Sequence, residues 1–395
     1  MQFFEIEQKI KECLPEIIAL RRSIHAEPEL GNCEQKTAAK VLDKLAKLPL
    51  NVRSNIFGHG ILATLDGKEQ SKTILFRGDM DALPMHEEND LEFKSTVPNV
   101  MHACGHDMHT AALAGAAMVL SHFKDQLKGN IKFMFQPAEE SSPVGGSRGM
   151  IAEGVLENPK VDEAYGLHVY GIPCGQVTFR PKVANSRSDR ITIEIIGKSS
   201  HGSFPNEGFD AIVAAANVVT SIQSIVSRSL SPCERAVITL GTVHGGSRYN
   251  VISDKVVLEG TVRSFSEATV KIIQERLHDI VEQAAATYGC TGILKYENGY
   301  DYMYNDPELS EFVQQSLGEV LGKENILIQP DPLPAGEDFS FISKLVPSVF
   351  LWVGAESAAH KGKCILHNPE SIFDEQGLYE SMRIMCKIAY DKLIK

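Results

Sequence analysis

The chain has 395 residues, of which 43% are hydrophobic and 23% are charged, and this composition is that of an ordinary globular protein. Its length exceeds what one small core needs, so two domains are expected. A formal net charge of −12 argues against nucleic acid as a partner, because surfaces that bind nucleic acid are normally basic.

The N-terminal segment, residues 1–20, carries acidic and basic residues at helical spacing, which predicts an amphipathic helix and not a signal peptide. No uninterrupted apolar run approaches the roughly 20 residues that a membrane span needs, so no membrane contact is expected. The eight cysteines are scattered and follow no secretory signal. They therefore predict reduced thiols and a cytoplasmic location.

The first half of the chain alternates short apolar strands with a helix. Strands are predicted over 73–77, 130–136 and 163–169, and a buried helix over 107–123. This alternation predicts an α/β fold whose mostly parallel sheet has helices on both faces. We expect this catalytic domain to comprise residues 1–184 and to resume over 299–395, through a strand at 348–354 to a C-terminal helix.

The pattern changes after residue 184. Strands are predicted over 189–196, 236–243, 255–263 and 292–296, and helices over 209–227 and 267–288. Their order is β-α-β-β-α-β, which is that of the ferredoxin-like unit. We therefore expect residues 185–298 to form a smaller α+β domain inserted into the larger one.

Polar side chains lie at or just past the predicted ends of several strands in the larger domain. Asp79 and Asp81 follow one strand, Glu139 and Glu140 follow another, and His168 lies at the end of a third. Ligands of such sheets gather at the carboxyl ends of the strands, so one shared site is expected.

A metal centre is indicated by Cys104 and His106, which offer a thiolate and an imidazole two residues apart. Sulfur beside imidazole suits a transition metal better than calcium or magnesium. Five potential ligands are too many for one catalytic zinc, which normally takes three, and they suit a pair of metals. The five are Cys104, His106, Glu140, His168 and His367. Nothing in the local sequence excludes His102 or His109.

Glu139 and Glu140 are adjacent, and neighbouring carboxylates do not easily point in one direction. One can bind metal while the other takes a proton from water, which is the division that metal-assisted hydrolysis needs. Asp81 is expected to accept a hydrogen bond from a metal-binding imidazole. The remaining cysteines have no metal-type partner at useful spacing and are expected to be structural.

The inserted domain carries His201 between a strand and a helix, Asn250 in a loop and Arg263 at a strand end. An imidazole, an amide and a guanidinium could hold an oxyanion and a substrate carboxylate. From spacing alone, the alternative is that these three side chains are surface polar residues of a small domain.

Taken together, seven ordered motifs resemble the N-acyl-amino-acid amidohydrolases, the family of hippurate hydrolases, aminoacylase-like enzymes and plant auxin-conjugate hydrolases. The motifs are RGDMDALP, MHACGHDMHT, FQPAEE, GLHVYG, HGSFPNEGFDAI, AGEDFSF and LHNPESIF. The resemblance implies a dinuclear metal site in the larger domain and an inserted lid domain that also forms a homodimer.

Carried over by motif position, the resemblance implies that the five metal-type residues are the ligands and that Glu139 is the general base. It further implies a supporting role for Asp81 and a role for His201 in a neighbouring subunit's active site. The substrate-side positions that it implies are Asn250, Arg263 and Gly336.

The expected reaction is hydrolysis of an N-acyl amino acid to a carboxylic acid and a free amino acid, with two divalent ions of zinc, manganese, nickel or cobalt. One alternative is a dipeptidase or aminopeptidase on a similar metal core. Another is a metal-binding scaffold without activity, against which the presence of Glu139 beside the ligands argues. The expected partners are the small-molecule substrate and a second copy of the chain, or a higher homo-oligomer.

Overall fold

The computed structural model describes residues 2–395, and the chain divides into two compact units. The larger unit comprises the chain up to Ala184, Met303–Pro332 and Asp338–Lys395. The smaller unit comprises Asn185–Tyr302 and Leu333–Glu337.

The helices of the larger unit pack on one another and on its sheet. In chain order they are α1 (Phe3–Ala26), α2 (Gln35–Leu45), α3 (His106–His122), α4 (Ser147–Ala152), α7 (Pro307–Leu321), α8 (Ser340–Ser343) and α9 (Glu375–Leu393). The smaller unit contributes α5 (Ala211–Ser224) and α6 (Glu267–Ala286). Helix α3 packs against both α1 and α9 and is buried along almost its whole length, which explains its run of alanine, leucine and methionine.

The strands of the main sheet lie in the order β1-β2-β4-β3-β5-β16-β6-β15. They are β1 (Asn51–Ile56), β2 (Gly60–Leu65), β3 (Thr73–Asp79), β4 (Asn130–Gln136), β5 (Glu163–Pro173), β6 (Val177–Phe179), β15 (Ile326–Ile328) and β16 (Ser348–Glu356). A separate pair joins β7 (Lys182–Asn185) to β14 (Met303–Asn305).

The central strands of this sheet run parallel, since β3 pairs in parallel with β4 and β5, and β5 does so with β16. Every residue of β3 and β4 is buried, which means that both faces of the sheet are covered, because successive side chains point to opposite faces. The predicted α/β class with a mostly parallel sheet is therefore confirmed.

The register of β3 and β4 determines where the predicted site residues lie. Asp79 pairs with Gln136, so the two strands end side by side. The acids that follow each strand, Asp81 on one and Glu139 on the other, consequently leave the sheet at the same edge.

The prediction that His168 lies at a strand end is wrong, because β5 continues to Pro173. The neighbouring β16 pairs with β5 as far as Pro173, with a register shift between Gly354 and Glu356, and Trp352 lies opposite His168. The apolar pattern that predicts this strand ends at Val169 because the residues beyond it are no longer buried, although the strand itself continues.

The smaller unit has an antiparallel sheet of β8 (Arg187–Ile196), β10 (Ala236–Gly245), β12 (Lys255–Ser264) and β13 (Thr291–Tyr300). The strand order is β10-β12-β8-β13, which is the ferredoxin-like order. A short two-stranded ribbon pairs β9 (Ser200–His201) with β11 (Val251–Ile252).

By length and composition alone, residues 211–229 could cross a membrane. In the structure this segment is α5 followed by a π-helical turn, Ile225–Ser229. Its face of Ala214, Val218 and Ile222 is buried in the core of the smaller unit. Packing against the antiparallel sheet accounts for this buried face, whereas Ile212 and Val213 on the same helix are about half exposed.

A buried charge network ties α1 to the first turn of α3. Arg21 Nε donates to Asp107 Oδ2 at 2.7 Å, and His25 Nδ1 lies 2.9 Å from the same oxygen. His25 Nε2 lies 3.2 Å from Glu87 Oε1. Burial disfavours a charged imidazole, but the two carboxylates outweigh it and raise the pKa of His25. Because both ring nitrogens face carboxylates, His25 is held as an imidazolium.

We expect His25→Gln to destabilise the protein by about 3–5 kcal/mol at pH 6, as is typical when one partner of a buried ion pair is removed. The loss should be smaller at pH 9. Because the folded-state pKa is raised, the stabilisation is complete below the pKa of unfolded histidine and is lost as the pH rises through the folded value.

Urea unfolding of both proteins at the two pH values, with chelator present, measures this difference. His122→Gln, at an exposed histidine in the last turn of α3, is the matched control. An equal loss for His25→Gln at both pH values would contradict the prediction.

Candidate metal centre

Cys104 and His106 flank the start of α3, and Gly105 between them has a φ of +85°. This left-handed conformation is one that glycine adopts without strain. A Cβ at position 105 would also lie 2.4 Å from Val169 Cγ2 on β5. The glycine therefore lets the thiol and the imidazole approach the strand that carries His168.

The structure brings the five predicted ligands together as two groups that share one sulfur. Cys104, His106 and His168 place their ligand atoms within 4.8 Å of one another, and so do Cys104, Glu140 and His367. Cys104 Sγ lies 3.3 Å from His168 Nε2, and His367 Nε2 lies 3.0 Å from Glu140 Oε1. Two groups with a common thiol would be able to hold two metal ions close together.

Hydrogen bonds set the tautomers of two of these histidines. His106 Nδ1 lies 3.2 Å from Asp81 Oδ1, and His168 Nδ1 lies 2.7 Å from the carbonyl oxygen of Val169. An oxygen acceptor requires Nδ1 to carry a proton, so Nε2 is the nitrogen that each ring can offer to a metal. His106 Nε2 is buried and has no hydrogen-bond partner, which is what a metal-binding nitrogen requires.

His109 is close to the cluster, but its hydrogen bonds leave no lone pair for a metal. The backbone N–H of Val169 donates to His109 Nε2 at 2.9 Å, and Nδ1 lies 2.6 Å from Asp79 Oδ1. His102 is buried with no hydrogen bond to either nitrogen. Among residues 2–395 it belongs to none of the groups whose geometry could hold a metal.

The electrostatics of the cluster favour a bound cation. Burial and the nearby Glu140 and Glu139 carboxylates raise the pKa of Cys104 well above its usual value. A thiolate there needs a positive charge beside it. One thiol, three imidazoles and one carboxylate form a donor set suited to transition metals. The residues present therefore fit a pair of divalent transition-metal ions.

Glu139 and Glu140 lie on the loop after β4. The Glu140 N–H donates to Asp81 Oδ2 at 2.8 Å, so one carboxylate contacts both this loop and His106. Glu139 is 7% exposed and lies beside His106 and Glu140 in a third group of potential ligand atoms. Its carboxylate is thus next to the ligands, as a general base would have to be.

The other four predicted residues, His201, Asn250, Arg263 and Gly336, belong to the smaller unit. His201 is exposed on β9, and the N–H of the next residue, Gly202, donates to the Asn250 carbonyl at 2.8 Å. A Cβ at Gly336 would lie 2.8 Å from Ser188 Cβ, so this glycine permits the close approach of the Ser188 side chain.

His201 and Asn250 are neighbours, but Arg263 is not near them. The register pairs Lys255 with Ile196 at one end of β12 and Arg263 with Ser188 at the other. At about 3.3 Å per residue, the two ends are roughly 26 Å apart. His201 and Asn250 lie beyond the Lys255 end of this strand.

Arg77 was missed in the sequence, although a charge within the apolar strand TILFR is itself a signal of a buried ion pair. Its guanidinium contacts Asp79 Oδ2 at 2.6 Å and Asp338 Oδ1 at 2.8 Å, with all three side chains buried. Arg77 thereby holds Asp79, the acid that His109 contacts.

One protein family and several known proteins are similar to this chain. A model of the family described as Peptidase family M20/M25/M40 matches residues 75–391. N-acetyl-L-cysteine deacetylase of Bacillus subtilis is 34% identical over 93% of this chain and 85% of its own. Thermostable carboxypeptidase 2 of Saccharolobus solfataricus is 34% identical over 93% of both chains. The Bacillus subtilis YXEP protein, described as a dinuclear metal-binding peptidase, has a solved structure with a TM-score of 0.83, 29% identity and coverage of 97% and 99%.

We expect Cys104→Ser to lower the metal content of the protein from about two ions per chain to one or fewer, because its sulfur is common to both groups. Elemental analysis after dialysis against metal-free buffer measures the content. His122→Ala, at the other end of α3, should keep the full amount. A fully loaded Cys104→Ser protein would show that the sulfur is not a shared ligand.

Proposed function

Since the chain belongs to peptidase family M20/M25/M40 and is a metal-dependent hydrolase of amide bonds, we propose that its substrates are N-acyl amino acids. The reaction releases a carboxylic acid and a free amino acid. The observation that carries the proposal is Glu139 beside two groups of metal-type side chains that share Cys104.

Cys104, His106, Glu140, His168 and His367 would hold the two metal ions, which we propose to be zinc, manganese, nickel or cobalt. When bound, such ions act as Lewis acids that polarise the amide carbonyl and lower the pKa of water towards neutrality. Asp81 keeps His106 Nδ1 protonated and holds the Glu140 backbone, so that both ligands are oriented.

Glu139 is the proposed general base. Its carboxylate takes the proton of the water that attacks the amide carbon, and the water oxygen forms the new C–O bond. The same carboxyl group then gives the proton to the amide nitrogen as the C–N bond breaks. The products are a carboxylic acid and the amine of the released amino acid.

An N-acyl amino acid also has a free carboxylate, for which the proposed partners are Arg263 of one subunit and Asn250 of a second. The same groups would suit a peptide with a free C-terminus, and one relative is named a carboxypeptidase. Carboxypeptidase activity is therefore the second candidate. An aminopeptidase would instead need an acid to hold the free α-amine of its substrate.

We expect the metal-loaded protein to hydrolyse at least one substrate from a panel of N-acetyl, N-benzoyl, indole-acetyl and succinyl amino acids, with dipeptides as the comparison. Glu139→Gln should keep its metal but lose several orders of magnitude in kcat, because the proton acceptor is gone. Product release and metal content are measured on the same samples.

Faster cleavage of dipeptides than of every N-acyl amino acid would move the assignment to a peptidase. Near-normal turnover in fully loaded Glu139→Gln would exclude Glu139 as the base.

We also propose that the protein is a homodimer formed through the smaller unit. Strand β10 lies at the edge of its sheet, and Val237 and Val243 on this strand are about half exposed. Ile212 and Val213 on α5 are exposed to a similar degree. An unpaired edge beside apolar side chains is typical of a surface that a second copy covers.

A dimer would also explain why the proposed substrate residues lie at opposite ends of β12. Groups roughly 26 Å apart cannot hold one small molecule, so a site that uses both ends needs a residue from each subunit. We propose that His201 of one subunit donates to the oxyanion formed in its partner. The proposed compartment is the cytoplasm, since all eight cysteines, which lie within residues 2–395, are free thiols.

We expect a mixed dimer of a His201→Ala subunit and a Glu139→Gln subunit to regain activity that neither homodimer has. One site of the mixed dimer combines the intact Glu139 of one chain with the intact His201 of the other. Removal of an oxyanion donor typically costs about 10²–10³ in kcat, so the recovery should be large. Native mass spectrometry confirms the mixed species, and its continued inactivity would mean that His201 does not serve a neighbouring subunit.

A further inference from the structure

The loop that bears Glu139 has a strained backbone conformation, which surrounding contacts must stabilise. Ala138 has a φ of +57°, a left-handed conformation that costs an L-residue about 1–2 kcal/mol. The loop also folds back tightly, since a Cβ at Gly146 would lie 1.8 Å from the Pro137 carbonyl oxygen. Strain of this kind persists only where surrounding contacts fix the backbone.

Two carboxylates accept the amide hydrogens on either side of Glu139. Asp81 Oδ2 accepts from the Glu140 N–H at 2.8 Å, and Glu34 Oε1 accepts from the Ala138 N–H at 2.7 Å. Glu34 is fully buried, and the same oxygen accepts from the Asn32 N–H at 3.0 Å. The contact from Glu34 therefore fixes the residue with the unusual φ angle.

The segment that carries Glu34 is itself anchored beside the site. The Ala82 N–H donates to the Glu29 carbonyl at 2.8 Å, and Leu30 forms a parallel bridge with Ala82. A Cβ at Gly31 would lie 2.4 Å from Ser141 Oγ and 3.2 Å from Ala138 Cα. Residues 29–34 thus form a wall that contacts the loop directly, with Glu34 at its end.

We propose that Glu34 is a positioning residue that directs the Glu139 carboxylate through the Ala138 amide. This inference rests on the proposed function, in which Glu139 is the base. Glu34 contacts neither metal nor substrate in this role. Its loss should therefore slow the proton transfers and leave substrate binding unchanged.

Two substitutions distinguish the hydrogen bond to Ala138 from the mere filling of this buried space. Burial raises the pKa of Glu34 to about 7, and its Oε2 is buried with no hydrogen-bond partner. Burial of a neutral amide costs less free energy than burial of a carboxylate, and the amide still offers one carbonyl oxygen as an acceptor. Glu34→Gln keeps the contact with Ala138, whereas Glu34→Leu removes it at similar volume.

The test compares these two variants on the best substrate of the panel. Glu34→Leu should lose about 10- to 100-fold in kcat, as expected for a small misplacement of a catalytic group, with KM within roughly 2-fold of wild type. Glu34→Gln should keep kcat within roughly 3-fold. Equal kcat for the two variants, or a rise in KM without a fall in kcat, would overturn the proposal.

A second readout does not depend on activity. Hydrogen exchange of the peptide that contains Ala138 to Glu140 should be faster in Glu34→Leu and unchanged in Glu34→Gln. Unchanged exchange in Glu34→Leu would overturn the proposal. If wild type cleaves no panel substrate, the proposed function fails, while this measurement still decides whether Glu34 holds the loop.

If Glu34→Leu does not fold, Gly31→Ala replaces it in the kinetic test. Its methyl group would lie 2.4 Å from Ser141 Oγ and 3.2 Å from Ala138 Cα, so residues 29–34 and the loop must move apart while the Glu34 carboxylate is kept. The expected result is the same fall in kcat at constant KM, and wild-type kcat in a folded Gly31→Ala protein with a displaced loop would count against the proposal.

Discussion

One carboxylate, that of Asp81, joins the parts of the chain from which the candidate centre is built. Its two oxygens contact His106 Nδ1 and the Glu140 N–H, so the start of α3 and the loop after β4 are held by one side chain. This is possible because β3 and β4 are parallel neighbours that end in register. The parallel pairing of these two strands is therefore the constraint on which the geometry of the site depends.

A cluster of buried carboxylates this dense needs positive charge around it, because an unpaired buried ion costs several kcal/mol. The larger unit supplies that charge behind the site. Arg77 lies between Asp79 and Asp338, and Arg21 and His25 together hold Asp107 next to His106. With these acids paired by the protein, the thiol and the Glu140 carboxylate remain to balance the charge of metal ions.

Residues near in sequence could be predicted, because strand ends and the spacing of Cys104 and His106 are visible locally. The contacts that orient them could not. Glu34 meets Ala138 across 104 residues, and His25 meets Asp107 across 82. Such pairs depend on which strands become neighbours in the sheet, and the hydrophobic periodicity of the sequence does not indicate this. The prediction that His168 lies at a strand end is wrong for the same reason, since its strand is prolonged by pairing with β16, which is distant in sequence.

The histidines around the candidate centre differ in role because of what each ring nitrogen contacts. His106 and His168 direct Nδ1 to an oxygen, which leaves Nε2 available. His109, one turn along α3, receives the Val169 N–H at Nε2 and thereby loses its lone pair to the backbone of β5. The Val169 amide, on the strand that carries His168, thus prevents His109 from acting as a metal ligand. Which imidazoles can bind metal is decided by tertiary hydrogen bonds, which the sequence motifs do not show.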